Sequence, residues 1–138
     1  MPESPVQTAR VSEIPPLSES DPGEPEWRPV RHHFGIASFG VNAWIARKDG
    51  DLVIEEHTET EGGAAGHEEL YFVVSGKARF TVGDETVEAP AGTFVYVRDP
   101  QVKRAAVADG AGTTVLAMGA KPGIAFQPSP WELKHVER

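Results

Sequence analysis

The stretch GHEELYFVVSGKARFTVGDETVEAPAGTFVYV, from Gly66 to Val97, decides how the rest of the chain is read. Apolar and polar residues alternate with a period of two, and the runs break at Ser75-Gly76, Gly83-Asp84 and Ala91-Gly92. Alternation of this kind marks half-buried strands, and glycine at the breaks supports tight hairpin turns. The head of the stretch carries His67, Glu68 and Glu69. His67 and Glu69 are two apart on a predicted strand, so they share a face, and neutral imidazole with carboxylate suits a divalent metal. Glu69 falls on the face of Tyr71 and Val73, while Leu70, Phe72 and Val74 alternate onto the other. If that first face is the inner one, the carboxylate must be paired or protonated. The alternative is a Glu69 exposed at a strand end.

The same punctuation extends outward from Trp27. Strands are predicted over Phe34 to Ala46 with a break near Gly40, Leu52 to His57, Glu68 to Ser75 and Lys77 to Val82. They continue over Thr86 to Glu88, Thr93 to Arg98, Val102 to Ala108 and Thr113 to Gly119. About eight short antiparallel strands define an all-β sandwich or barrel. At the end, SPWELKHVER offers Ser129 as an N-cap, Pro130 at the first helical position and Glu132 three residues after the cap, which predicts a short C-terminal helix.

The length of 138 residues fits one domain. With no cysteine, disulfides, thiolate metal sites and cysteine nucleophiles are excluded. A net charge of −8, with Lys103-Arg104 the only local basic concentration, argues against nucleic acid as a partner. The N-terminus lacks the basic start and apolar run of a signal peptide, and no stretch reaches the roughly 18 apolar residues of a span. The expectation is a cytoplasmic protein with no membrane partner. Residues 1–26 hold six of the twelve prolines and six acids against one arginine, which predicts a flexible arm ahead of a single β domain over 27–138.

These residues resemble the cupin family, whose motifs read G-x5-H-x-H-x(3,4)-E-x6-G and G-x5-P-x-G-x2-H. Glu69 and Gly76 match the E-x6-G half around LYFVVS, and Gly92 opens the second motif before TFVYV. The likeness covers about Leu52 to Gly119. Counting back from Glu69 puts the two histidine positions at Gly63 and Ala65, or at Gly62 and Ala64. Arg98, Asp99 and Pro100 replace P-x-G, and Lys103 stands at the last histidine. The resemblance implies a double-stranded β-helix, or jelly-roll barrel, with the glutamate facing the cavity and barrels pairing into a homodimer.

The expected function is binding of a small molecule in a pocket of His67, Glu69, Tyr71 and Lys103, with no cofactor. The Lys103 ammonium would take the metal's place opposite Glu69. The alternative is a metal-dependent oxygenase or isomerase using His57, His67 and Glu69 and a divalent transition metal. Lys103 and Arg104 are adjacent, so only one can point inward; the motif alignment favours Lys103, and a charge-protected edge strand is the other reading. Arg31, His32 and His33 read as rim or surface, and Trp27, Trp44 and Trp131 as core or interface. No serine or histidine arrangement for nucleophilic catalysis is present.

Overall fold

The structure, a computed structural model, describes residues 5–16, 25–60, 65–128 and 130–136. Its nine strands are β1 (Glu26–Arg28), β2 (Gly40–Ile45), β3 (Leu52–His57), β4 (Glu68–Ser75), β5 (Lys77–Val82), β6 (Glu85–Pro90), β7 (Phe94–Val97), β8 (Arg104–Ala108) and β9 (Thr114–Ala120). A helix α1 (Val30–Phe34) follows β1, and α2 (Pro130–Val136) closes the described chain. Strands β3, β4 and β5 have the predicted bounds.

Antiparallel pairing gives two sheets, β1-β2-β9-β4-β7 and β3-β8-β5-β6. The all-β expectation holds. The sheets enclose a core in which Tyr71 and Val73 from β4 meet Phe80, Ala78, Ala106 and Ala108 from the opposite sheet. Val74 is exposed and Phe72 half-buried on the far side of β4, so the face assignment holds along the strand. Tyr71 and Phe80 pack with ring centroids 5.3 Å apart across the interior.

Two expectations change. Phe34 does not begin a strand: Val30–Phe34 is helical, and Gly35 at φ 72° ends it. The amide of Gly35 donates to His32 O and that of Ile36 to Arg31 O, which is a Schellman closure. His32 and His33 are exposed on this helix, as rim residues should be, but Arg31, expected beside them, is buried because its guanidinium turns in to pair with Glu132. The arm expected to be flexible is mostly exposed where it is described and meets the barrel at Ile14. Ile14 is only 2% exposed, and Arg28 on β1 donates to Ser12 O at 3.3 Å and to Ile14 O at 2.7 Å. Residues 17–24 lie outside the described residues, as does Ser129, the expected cap of α2.

Helix α2 packs at the β1–β2 end of the first sheet. Trp131 lies 4.5 Å from Trp27 between ring centroids, and Trp27 stacks on Trp44 at 6.2 Å. Glu132 pairs with Arg31 of α1, and both are buried. The tryptophans thus fill an internal interface, as expected. No helix among the described residues is long and apolar enough to cross a membrane.

Candidate functional site

Both sheets contribute to one polar cluster at an end of the barrel. His57 on β3 and Arg104 on β8 are cross-strand partners, so their side chains share a face. Glu69 on β4 points at them from the other sheet, directed inward with Tyr71 by the two-residue period. Glu59, just beyond β3, is buried and held through its backbone, its amide donating to Pro100 O at 2.8 Å and its carbonyl accepting from Gly66 N at 2.7 Å.

Glu69 Oε1 is the hub. It accepts from Arg104 Nη1 at 3.0 Å and from the Tyr71 hydroxyl, and His57 Nε2 stands 3.6 Å away. Arg104 is 0% exposed; its Nε donates to Val102 O at 2.8 Å and its Nη2 to Asp99 O at 3.0 Å, so the guanidinium is tied on three sides. His57 Nδ1 lies 2.7 Å from Glu55 O and Nε2 3.1 Å from Glu59 Oε1. Both acceptors favour an imidazolium, since only that form donates from both nitrogens. Among the described residues, no buried side-chain N or O lacks a partner.

The titrations follow from this wiring. Burial works against a charged His57, but its hydrogen bonds to Glu59, Glu69 and the Glu55 carbonyl, with the charge of Glu69, push it up to about 10. Burial also dominates at Glu59, raising it despite the bond from His57, and the nearby Glu69 charge raises it further. For Glu69 burial alone would raise the carboxyl, yet hydrogen bonds from His57, Tyr71 and Glu59 hold it below its ordinary range. Burial and the Glu69 charge push the Tyr71 phenol well up, so it stays a donor. Burial thus holds Glu59 above its ordinary range, while hydrogen bonds hold Glu69 below it, so the two carboxyls are shifted in opposite directions.

Of the expected pocket residues, Glu69 and Tyr71 are in the cluster, and His67 sits at its margin. Lys103 is not: it is exposed, and the next residue, Arg104, faces inward. Strand β8 begins at Arg104, and one step along a strand exchanges the two faces. The expected metal set also changes. Donor atoms of His57, Glu59 and Glu69 lie within 4.8 Å of one another, so Glu59 takes the place given to His67. His57-x-Glu59 repeats the spacing of the H-x-H pair, with a longer insertion before Glu69 than the motif's gap allows.

This cluster does not fit the divalent ion that the fold family implies. Arg104 Nη1 stands 3.0 Å from Glu69 Oε1 and 4.0 Å from Glu59 Oε1, among the would-be ligands. Arg104 already makes with Glu69 the pairing that a dication would make, and a metal would have to share both carboxylates with that fixed charge. The two carboxylates are instead balanced by Arg104 and a protonated His57.

No family model matches the chain, and no curated protein matches it. Solved structures do. A cupin protein from Bacteroides fragilis aligns at 19% identity and TM-score 0.58, over 81% of this chain and 88% of that one. A double-stranded β-helix domain protein from Klebsiella pneumoniae aligns at 21% identity and TM-score 0.60, over 89% and 94%. A sugar phosphate isomerase of the cupin superfamily from Silicibacter pomeroyi aligns at 15% identity and TM-score 0.58, over 70% and 59%.

Proposed function

Because this chain has the cupin fold, the double-stranded β-helix of that superfamily, we propose that its barrel binds a small hydroxyl-bearing molecule at the Glu59–Glu69 cluster without a metal. The observation that carries this reading is the Arg104 guanidinium fixed on Glu69 inside the barrel. It supplies the positive charge that the carboxylates require, and it leaves their remaining oxygens as acceptors. Acceptor-rich sites select ligands that donate, hence hydroxyls. The His57 side chain is 36% exposed, which gives the cluster a face toward solvent. The sugar phosphate isomerase from Silicibacter pomeroyi supports starting with sugars and sugar phosphates.

The test is a thermal-shift panel of those compounds on protein made without a histidine tag, followed by calorimetric titration of any that stabilise it. Binding is expected to survive EDTA, and Glu59→Gln to weaken it by roughly tenfold, the loss of one charged hydrogen bond. A metal-dependent enzyme is the second reading, favoured by the three donors of His57, Glu59 and Glu69. About one equivalent of transition metal per chain, lost together with binding in EDTA, establishes that reading and overturns the first.

The same proposal takes a second copy of the chain as partner. Phe94 and Tyr96, 63% and 50% exposed, share the outer face of the five-stranded sheet with the partly covered Leu70, Phe72 and Met118. Tyr96 donates to Glu68, and Arg98 lies 5.8 Å over its ring, so an anion and a cation flank the apolar patch. Two such faces related by a two-fold axis set Glu68 against Arg98 in both directions. Light scattering should give twice the 14.9 kDa chain mass, and Phe94→Glu should halve it. A wild-type mass of one chain at micromolar concentration rules this assembly out.

A further inference from the structure

Beyond β9 the chain touches the barrel again at two points, through Lys121 and Phe126. A cross-strand row on the inner face of the first sheet reads Gly40, Gly119, Glu69. The middle of the row is closed by backbone, since a Cβ on Gly119 would stand 2.7 Å from Glu68 O. Its Gly40 end is a notch filled by Phe126, whose ring would lie 3.3 Å from a Cβ there. On its other side the ring faces His67 at 5.8 Å between centroids. Earlier in the same segment, the Lys121 stem lies against Gly66, where a Cβ would meet Cε at 3.0 Å. At its far end α2 is held by Arg31–Glu132 and by Trp131 on Trp27.

We propose that Phe126 is the specificity-determining residue of the site: its ring plugs the notch at Gly40 and lies against His67 at the margin of the cluster, α2 fixes its seat, and a ligand must fit past or displace it to reach the carboxylates. This rests on the binding reading above for its purpose, not for its geometry. The apolar ring admits small or flat molecules and excludes bulky ones. Gly40 and Gly119 are then required by space, because a methyl at Gly40 would push the ring out.

The experiment reads access to His67 without any ligand. Diethyl pyrocarbonate acylates imidazole nitrogens that are neutral and reached by solvent, so near neutral pH the rate at His67 reports the plug. Peptide mass mapping compares it with exposed His32 and His33 in the same chain. In the wild type His67 is expected to react roughly tenfold more slowly than His32 and His33, and Phe126→Ala to bring it close to their rate. Phe126→Leu, which keeps an apolar plug, should retain most of the protection. Glu132→Gln, which removes the charge that holds α2 to Arg31, should raise the His67 rate while circular dichroism shows the barrel intact. An unchanged His67 rate in Phe126→Ala overturns the plug, and an unchanged rate in Glu132→Gln overturns its control by α2. Failure of every compound in the ligand panel leaves these rates untouched, so the two ideas fail separately.

Discussion

Arg104→Met is expected to lower folding stability by about 3–5 kcal/mol, the range for removing one member of a buried ion pair. The guanidinium has no exposed surface and faces Glu69 at 3.0 Å and Glu59 at 4.0 Å. Its loss leaves two carboxylates in the barrel with only His57 to balance them. Glu69→Gln alone should also destabilise, since it removes the negative charge that Arg104 faces at 3.0 Å and leaves the guanidinium buried without it. The double variant should lose less than the sum of the two, because neither charge is then stranded. Chemical denaturation of the four proteins measures the difference, and additivity within about 0.5 kcal/mol would show that the pair is not coupled. Lys103→Met serves as the control. Its side chain is exposed, so a change within about 0.5 kcal/mol is expected. The reverse ranking, with Lys103 costly and Arg104 neutral, contradicts the orientation of β8 described here.

Gly76→Ala is expected to cost about 2–5 kcal/mol, the sum of left-handed backbone strain and overpacking. Gly76 links β4 to β5 at φ 74°. A Cβ there would stand 2.4 Å from Thr113 Oγ1 and 2.9 Å from Thr113 Cα. Rotating the threonine relieves only the first contact, because the second is backbone. Thr113 is itself buried and bonded to Gly110 O at 2.8 Å, so the β8–β9 connection must move with it. Urea denaturation of this single variant checks the figure; a loss under about 1 kcal/mol would mean that the turn relaxes freely. Gly92→Ala, also at positive φ but with open space around it, should cost only the strain, about 1–2 kcal/mol.

The E-x6-G pattern was legible because both of its ends are fixed by local physics. Glu69 must lie on the face of Tyr71, and Gly76 must accept a conformation and an approach that no side chain tolerates. Glu59 was missed for the opposite reason. It lies across a loop from Glu69, and loops accept insertions at little thermodynamic cost, so counting at a fixed gap passes over it. The visible clue was His57-x-Glu59, a pair with the spacing of two ligands. Arg104 was confused with Lys103 because Lys-Arg-Ala-Ala-Val-Ala carries no amphipathic signal. Alanine sits on either face, and the larger Val107 is the one exposed at 41%. The pairing of β3 with β8 is also irregular, with shifts between Leu52 and Ile54 and between Ile54 and His57, so register could not be carried along from either strand. Helix α1 ends at Phe34, where the expected strand begins, and a run of five residues closed by Gly35 leaves no helical period to detect.

The three tryptophans stand together, with Trp27 and Trp44 on neighbouring strands and Trp131 laid against both from α2. Intrinsic emission of this protein is therefore a local signal. It follows the seating of the C-terminal helix, whereas the barrel interior carries Tyr71 and Phe80 as its ring chromophores. A change in tryptophan quantum yield on heating reports release of that helix first. Near-ultraviolet dichroism in the tyrosine band carries Tyr71, which donates its hydroxyl to Glu69, together with Tyr96 of the outer face; a Tyr96→Phe variant would leave Tyr71 as the optical probe of the polar cluster.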